Sequence, residues 1–232
     1  ISIAHERDIL YEMATQLTQA TTPEEWLGAC SQYAFKRGAK VAAFSWVECN
    51  ADGKPSAIRV ATWLGERSPS APPVGTRISI DTLWRDPQHT FGDGNLPIFV
   101  SDVLTSSYIA EGARQYYAER LRVRAFIYLP MLVQGQWVNS LSIQWAAPQD
   151  FDDEIRRIYH AILPHAGSVI HSLYLLEQTT AAREESEFLY RLSQDFNAAT
   201  SYQELMDAIA RLQPDCDAVF LNLFENLDYD RA

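Results

Sequence analysis

Residues 122–143, RVRAFIYLPMLVQGQWVNSLSI, carry the clearest structural signal in the chain. Arg124 to Val133 and Trp137 to Trp145 are runs of apolar, β-branched and aromatic residues, and Gln134-Gly135-Gln136 between them supplies turn chemistry. That combination predicts a β-hairpin. On its N-terminal side, Ser106 or Ser107 can cap a helix through about Leu121, with Ile109, Ala113, Tyr116, Tyr117 and Leu121 as its inward stripe. On its C-terminal side a long helix is predicted from Phe151, where Asp152, Asp153 and Glu154 face the positive end of the helix dipole.

That exit helix can continue to about Ala199, close to 50 residues and about 75 Å if unbroken. Ile155, Ile158, Ile162, Ala166, Val169, Leu173 and Leu176 alternate steps of three and four, near the heptad spacing of a helix seam. Pro164 lies inside the pattern and predicts a kink, because it lacks an amide donor and crowds the carbonyl four residues earlier.

Further toward the N-terminus, Ile3 to Thr21 has helical periodicity, and Thr22-Pro23-Glu24-Glu25 restarts a helix with a cap, a first-position proline and a capping-box glutamate. The second helix should stop at Gly38. Val41 to Val47 and Ser56 to Leu64 form a second hairpin around the turn residues Asn50, Asp52 and Gly53. The stretch 65–95 is rich in Pro and Gly and reads as loops around short elements, and Leu96 to Val100 as a short strand before Asp102.

Residues 10–30, LYEMATQLTQATTPEEWLGAC, recur at an offset of 179 as residues 189–209, LYRLSQDFNAATSYQELMDAI. The chain is therefore expected to hold one complete module and the start of another. The boundaries that follow are a core over 1–150, an exit helix over 151–188 and a truncated second copy over 189–232.

Composition bounds the function. Of the net charge of -11, little arises in residues 1–150, which hold 15 acidic and 13 basic side chains, whereas residues 151–232 hold 15 and 6. Binding of nucleic acid through its phosphates is disfavoured. Cys30, Cys49 and Cys216 are widely spaced and lack a CxxC pattern, which suits free thiols in a reducing, cytoplasmic setting. No apolar run approaches the roughly 20 residues that span a bilayer, so no membrane contact is expected of this chain. His160, His165 and His171 are spaced by five, six and eleven residues, which does not bring two imidazoles together on a helix. They also lack the surroundings of a phospho-accepting histidine. No phosphate-binding glycine loop, nucleophile elbow or zinc-binding HExxH occurs, so neither a metal site nor a catalytic residue is predicted. Arg114, Arg120, Arg122 and Arg124 form a basic cluster that either holds an anion or pairs with acidic neighbours.

The order helix, helix, hairpin, irregular middle, helix, hairpin, long helix resembles a GAF domain. Pro73-Val-Gly75-Thr76, Leu96-Pro-Ile-Phe-Val-Ser-Asp102-Val, the 122–143 hairpin and Phe151-Asp-Asp-Glu are similar to family patterns, and the resemblance covers about residues 5–178. It implies an α+β fold, a GAF/PAS-like antiparallel sheet flanked by helices with a long C-terminal connecting helix. The implied function is a sensory or regulatory domain of a multidomain signalling protein of the two-component kind. Such a domain binds a small molecule, forms a homodimer through its helices, or does both. Alternatives are an enzyme resembling free-methionine sulfoxide reductase, which directs attention to Cys49, and a ligand-free dimerisation module.

There are departures. Asn139-Ser140 stands where the family often has Gly, and the NKxnFx3DE signature of cyclic-nucleotide-binding members is absent, so cyclic nucleotide is not supported. No Cys lies between Cys49 and Cys216, which disfavours covalent bilin and leaves the cofactor unknown. The residues that the resemblance places near a ligand are Trp63, Trp84, Phe99, Asp102, Tyr117, Phe126 and Tyr128, although aromatics of this kind most often simply fill a core.

Overall fold

Side-chain alternation along six strands divides this protein into two faces. The computed structural model describes residues 3–87, 96–133 and 136–199, together with Ser201 and Glu204. In chain order the elements are α1 (Ile3–Gln19), α2 (Pro23–Lys36), β1 (Val41–Cys49), β2 (Pro55–Gly65), β3 (Arg77–Ser79), α3 (Ile80–Leu83), β4 (Ile98–Val100), α4 (Glu111–Gln115), a π-helical turn over Tyr116–Leu121, β5 (Ala125–Val133), β6 (Gln136–Trp145) and α5 (Asp153–Ala198). The strands form one antiparallel sheet in the order β3-β2-β1-β6-β5-β4. The two predicted hairpins are therefore joined at its centre by β1 and β6. The expected α+β architecture, an antiparallel sheet flanked by helices with a long C-terminal helix, is the one observed.

In β5, Ala125, Ile127, Leu129 and Met131 face the helices, whereas Phe126 and Tyr128 face the other side. In β6, Leu141, Ile143 and Trp145 join the helical side. Over that side lie α1, α2 and the first half of α5, with Trp26, Leu27, Ile158, Tyr159 and Ile162 buried between layers. The indole of Trp26 donates to the carbonyl of Ala166 at 2.9 Å, which ties α2 to α5 without leaving a buried donor unpaired.

Local signals set the helix ends. Thr22 caps α2 by accepting from the Glu25 amide at 3.2 Å, while the Glu25 carboxylate reaches back past the cap to the amide and hydroxyl of Thr21. Asp152 caps α5 through the Ile155 amide at 2.9 Å and pairs with Arg37. The helix is continuous through Pro164. Its expected seam is largely used up by the sheet: Ile155, Ile158, Ile162 and Ala166 are buried, Val169 and Leu173 rest on the same core, and Leu176 is 64% exposed.

Two expectations are revised. The helix predicted from Ser106 begins only at Glu111, because the chain before it is held extended. Trp84 and Ile109 form a β-bridge, the Arg85 amide donates to the Tyr108 carbonyl at 2.8 Å, and the Ala110 amide donates to the Leu83 carbonyl at 3.1 Å. Ser106 instead caps a turn by accepting from the Tyr108 amide. The strand predicted from Leu96 is limited to Ile98–Val100.

Two compact units are distinguished, Ile1–Leu175 and Leu176–Ala232. In the second, the described residues are mostly exposed and polar, with an Arg183–Glu187 pair one helical turn apart. The turn at Gln134-Gly135 and nearly all of the repeat beyond Ala199 lie outside the described residues. Among the described residues no helix is long and apolar enough to cross a membrane.

Gly65 has φ +94°, and a Cβ there would lie 2.2 Å from the Lys40 carbonyl oxygen. Gly65→Ala should therefore cost about 2–4 kcal/mol, read as a lower midpoint in urea unfolding; an unchanged midpoint would contradict this close approach. The Asp152 carboxyl is held below the usual carboxylate range, first by the Ile155 amide and also by Arg37. A depressed folded-state pKa stabilises the fold above the unfolded value of about 4 and ceases to do so as pH falls through the folded one. Asp152→Asn should therefore lower Tm at pH 7, with the gap to the parent chain closing below about pH 4; a gap constant from pH 7 to pH 2 would exclude the charge as its cause.

Candidate functional site

The sheet face turned away from the long helices is paved with small side chains at its centre. Cross-strand partners share a face, so the register places Trp63, Ala43, Ser142 and Tyr128 in one row and Val60, Ser45 and Ser140 in the next. Ser45, Ser140 and Gln144 are buried here, and the Gln144 amide donates to the Ser142 hydroxyl at 3.2 Å. Over this floor stand Tyr116, Tyr117 and Leu121 from the π-helical turn, Leu83 from α3 and Pro72 from the loop before β3, with Ile78 of β3 at the side. Between floor and roof is a cavity of about 60 Å³. Among the described residues none of its lining side chains is charged.

Burial pushes the phenols of Tyr117 and Tyr128 well up, so both remain neutral donors at ordinary pH. The site thus offers hydroxyl and amide groups below and aromatic surface above, which suits orientation of a small uncharged molecule. Its roof rests on a π-helical turn that ends at Arg122, a residue with φ +59°. Such turns have imperfect backbone bonding and occur often at functional sites.

The residues singled out from sequence are distributed over several places. Trp63, Tyr117 and Tyr128 line the cavity, with the Trp63 indole anchored on the Pro72 carbonyl at 3.1 Å. Trp84 and Phe126 are buried behind it, their rings edge to face with centroids 5.8 Å apart. Phe99 lies on the opposite face, since its partner Ile127 points toward the helices; it meets Phe151 and carries the Arg156 guanidinium 4.6 Å above its ring. Asp102 is at the end of β4, where its carboxylate accepts from Arg124 at 2.7 and 3.1 Å and from the Leu104 amide at 3.1 Å. These bonds, that from Arg124 foremost, hold its pKa below the ordinary value. Of the basic cluster, Arg124 is thus an ion-pair partner and Arg114 donates to the Ser106 carbonyl at 2.7 Å.

Of the floor residues Ser45, Ser140, Ser142 and Gln144, only Ser140 is marked in the sequence, and there as a departure from the family's glycine and not as a ligand contact. Polar residues at every second position of an otherwise apolar strand, SxSxQ over 140–144, were the available signal. Cys30 is buried in the helical-side core, which pushes its thiol up, and Cys49 is exposed at the end of β1, away from this cavity. Among the described residues no group of three or more His, Cys, Asp or Glu side chains converges to hold a metal ion.

No family model and no curated protein matches the sequence. Solved structures do. The GAF domain of a phosphoenolpyruvate-protein phosphotransferase from Coxiella burnetii is 17% identical with a TM-score of 0.55, and the match covers 76% of this chain and 99% of that one. The phycoerythrobilin-bound GAF domain of a cyanobacterial phytochrome is 13% identical with a TM-score of 0.54, covering 76% and 100%. Free methionine-R-sulfoxide reductase from Neisseria meningitidis, solved with its substrate, is 15% identical with a TM-score of 0.50, covering 75% and 92%. Identities this low establish architecture and nothing finer, and the architecture of this chain is that of a GAF domain.

Proposed function

We propose that this GAF fold is a sensory module of a larger signalling protein, which takes a small uncharged molecule in the cavity between the sheet and the π-helical turn. The observation that carries this reading is the uncharged, hydroxyl- and amide-floored cavity beneath an aromatic roof. An ionic ligand would be desolvated there with no counter-charge to compensate it. The cavity of about 60 Å³ accepts more than a water or two only if Tyr116 and Tyr117 move, and they sit on the turn best able to yield.

The sheet is one backbone thick, which provides the coupling. Ser140 and Ser142 touch the cavity while Leu141 and Ile143, between and beside them, pack beneath the helical layer. Displacement of β6 by a ligand therefore alters the packing of α5, and the ligand biases two arrangements of that helix. A homodimer through the helices belongs to the same reading: Leu175, Leu176, Leu189 and Tyr190 are each at least half exposed. The repeated sequence from Leu189 supports a second, tandem module as the recipient of the signal.

Native mass spectrometry of the purified chain tests the cavity. A retained small molecule is expected in the parent chain, and Ser142→Leu, which fills the floor, should release it while thermal melting stays within a few degrees. A chain that carries nothing from any expression host, and whose melting no uncharged metabolite raises, would remove the sensory reading. Retention of the molecule by Ser142→Leu would move it to another site.

A further inference from the structure

Beyond Trp46 the two central strands part. Trp46↔Asn139 is the last pair between β1 and β6, after which Val47–Cys49 keep only β2 and Trp137–Val138 keep only β5. Two residues of β6 then oppose one of β5, a bulge that takes in Val138 and turns Trp137 to the opposite face. Bulges re-aim side chains beside functional sites. The splayed strands and α5 enclose a cleft of about 510 Å³, within the usual range for small-molecule sites and far above the cavity on the other face.

The sheet row at this opening is Arg77, Arg59, Trp46 and Asn139, on the face turned to the helices. From α5, His171 and Tyr174 lie three residues apart, so they share a side of the helix and border the same cleft. The rings of Tyr174 and Trp46 meet with centroids 4.8 Å apart, and Tyr174 remains 37% exposed. With Trp137 they give the cleft an aromatic wall. The Asn139 carboxamide is buried below this wall and presents neither of its polar atoms to the space.

Charge in the lining is one-sided. Among the described residues it includes Arg59 and His171 but no carboxylate, in a chain whose net charge is -11. Glu48, on the next row, is held by two guanidiniums: Arg59 pairs with one of its oxygens, and the Nε of Arg77 donates to the other at 2.6 Å. Two cations against one anion leave a net positive charge at the mouth, and the Arg59 side chain is half exposed there. Because Arg77 keeps Glu48 paired, Arg59 can give its remaining N–H groups to a second carboxylate without stranding the first.

We propose that this cleft is a ligand site for an aromatic monocarboxylate, with its ring against Trp46 and Tyr174 and its carboxylate on Arg59. The planar carboxylate matches the guanidinium fork, and contact between rings adds to the apolar area buried. One uncompensated positive charge balances one negative charge, whereas a phosphate dianion would be left partly unpaired and a cation would be repelled. His171, one turn back along α5 from Tyr174, supplies a further hydrogen-bonding group. The site is separate from the cavity on the other face and does not depend on the sensory reading of that cavity.

Titration of the full chain with indole-3-carboxylate, followed by NMR of the Trp46 indole and the His171 ring, tests this assignment. Indole-3-carboxamide, of the same shape but uncharged, is the control. Saturable shifts at both residues are expected with the carboxylate, and an affinity at least about tenfold weaker with the carboxamide. Arg59→Gln, at a half-exposed side chain, should leave the melting temperature within a few degrees and bring the carboxylate down to the level of the carboxamide. Tyr174→Ala should weaken both probes about fivefold, a loss that attraction to surface charge alone would not produce. Ser142→Leu, in the opposite cavity, should change the affinity of neither. Equal affinities of the two probes, no shift up to the solubility limit, a preference undiminished in Arg59→Gln, or binding lost in Ser142→Leu would overturn the proposal.

Discussion

The pairing of β1 with β6 is the constraint on which the remaining structure depends. It joins two hairpins far apart in sequence, running from Val41↔Gln144 to Trp46↔Asn139, and so makes one sheet of two. Because the side-chain period of a strand is two, this register decides which residues of both hairpins face the helices and which face the cavity. A shift by one residue would carry Leu141 and Ile143 to the polar side and Ser140 and Ser142 beneath the helices. The apolar demand of α2 and α5 on one face thus locks the hydroxyl floor in place on the other.

The end of that pairing matters as much as its course. Where β1 and β6 part, the sheet no longer excludes space, and the helical layer above it is left over an open cleft rather than a packed core. The cavity and the cleft therefore have one origin. The first lies where the central strands pair and their outward residues are small, and the second lies where the same strands separate. Both adjoin β6, and α5 packs on that strand across the sheet from the cavity and passes directly over the cleft.

Much of this was legible in the sequence. Thr22-Pro23 with Glu25, the Asn50 to Gly53 turn, the two hairpins and the start of the long helix are local signals, and each has a local physical cause in a cap, a left-handed glycine or an alternation of side chains. The structural comparisons agree with the GAF resemblance carried by residues 122–143 and the element order. The aromatic residues were less readable. Trp63, Tyr117 and Tyr128 reach the cavity but Phe99 does not, and nothing local distinguishes them: β4 is three residues long, and only its partnership with Ile127 sends Phe99 to the helical face. The helix expected from Ser106 failed for the same kind of reason, since the bridge from Trp84 to Ile109 is a non-local contact that overrides local propensity.

By itself, then, the sequence determined the elements, their order and the class of fold, because capping, turn chemistry and periodicity act within a few residues. Tertiary structure decided which polar groups are hidden and which spaces remain. Ser140, Ser142 and Asn139 are neighbours in one strand, yet two pave a cavity and the third is buried unpaired beside a cleft on the other face. Their fates depend on the register with β1, the bulge at Val138 and the passage of α5 overhead, and these are set by packing between residues distant in the chain.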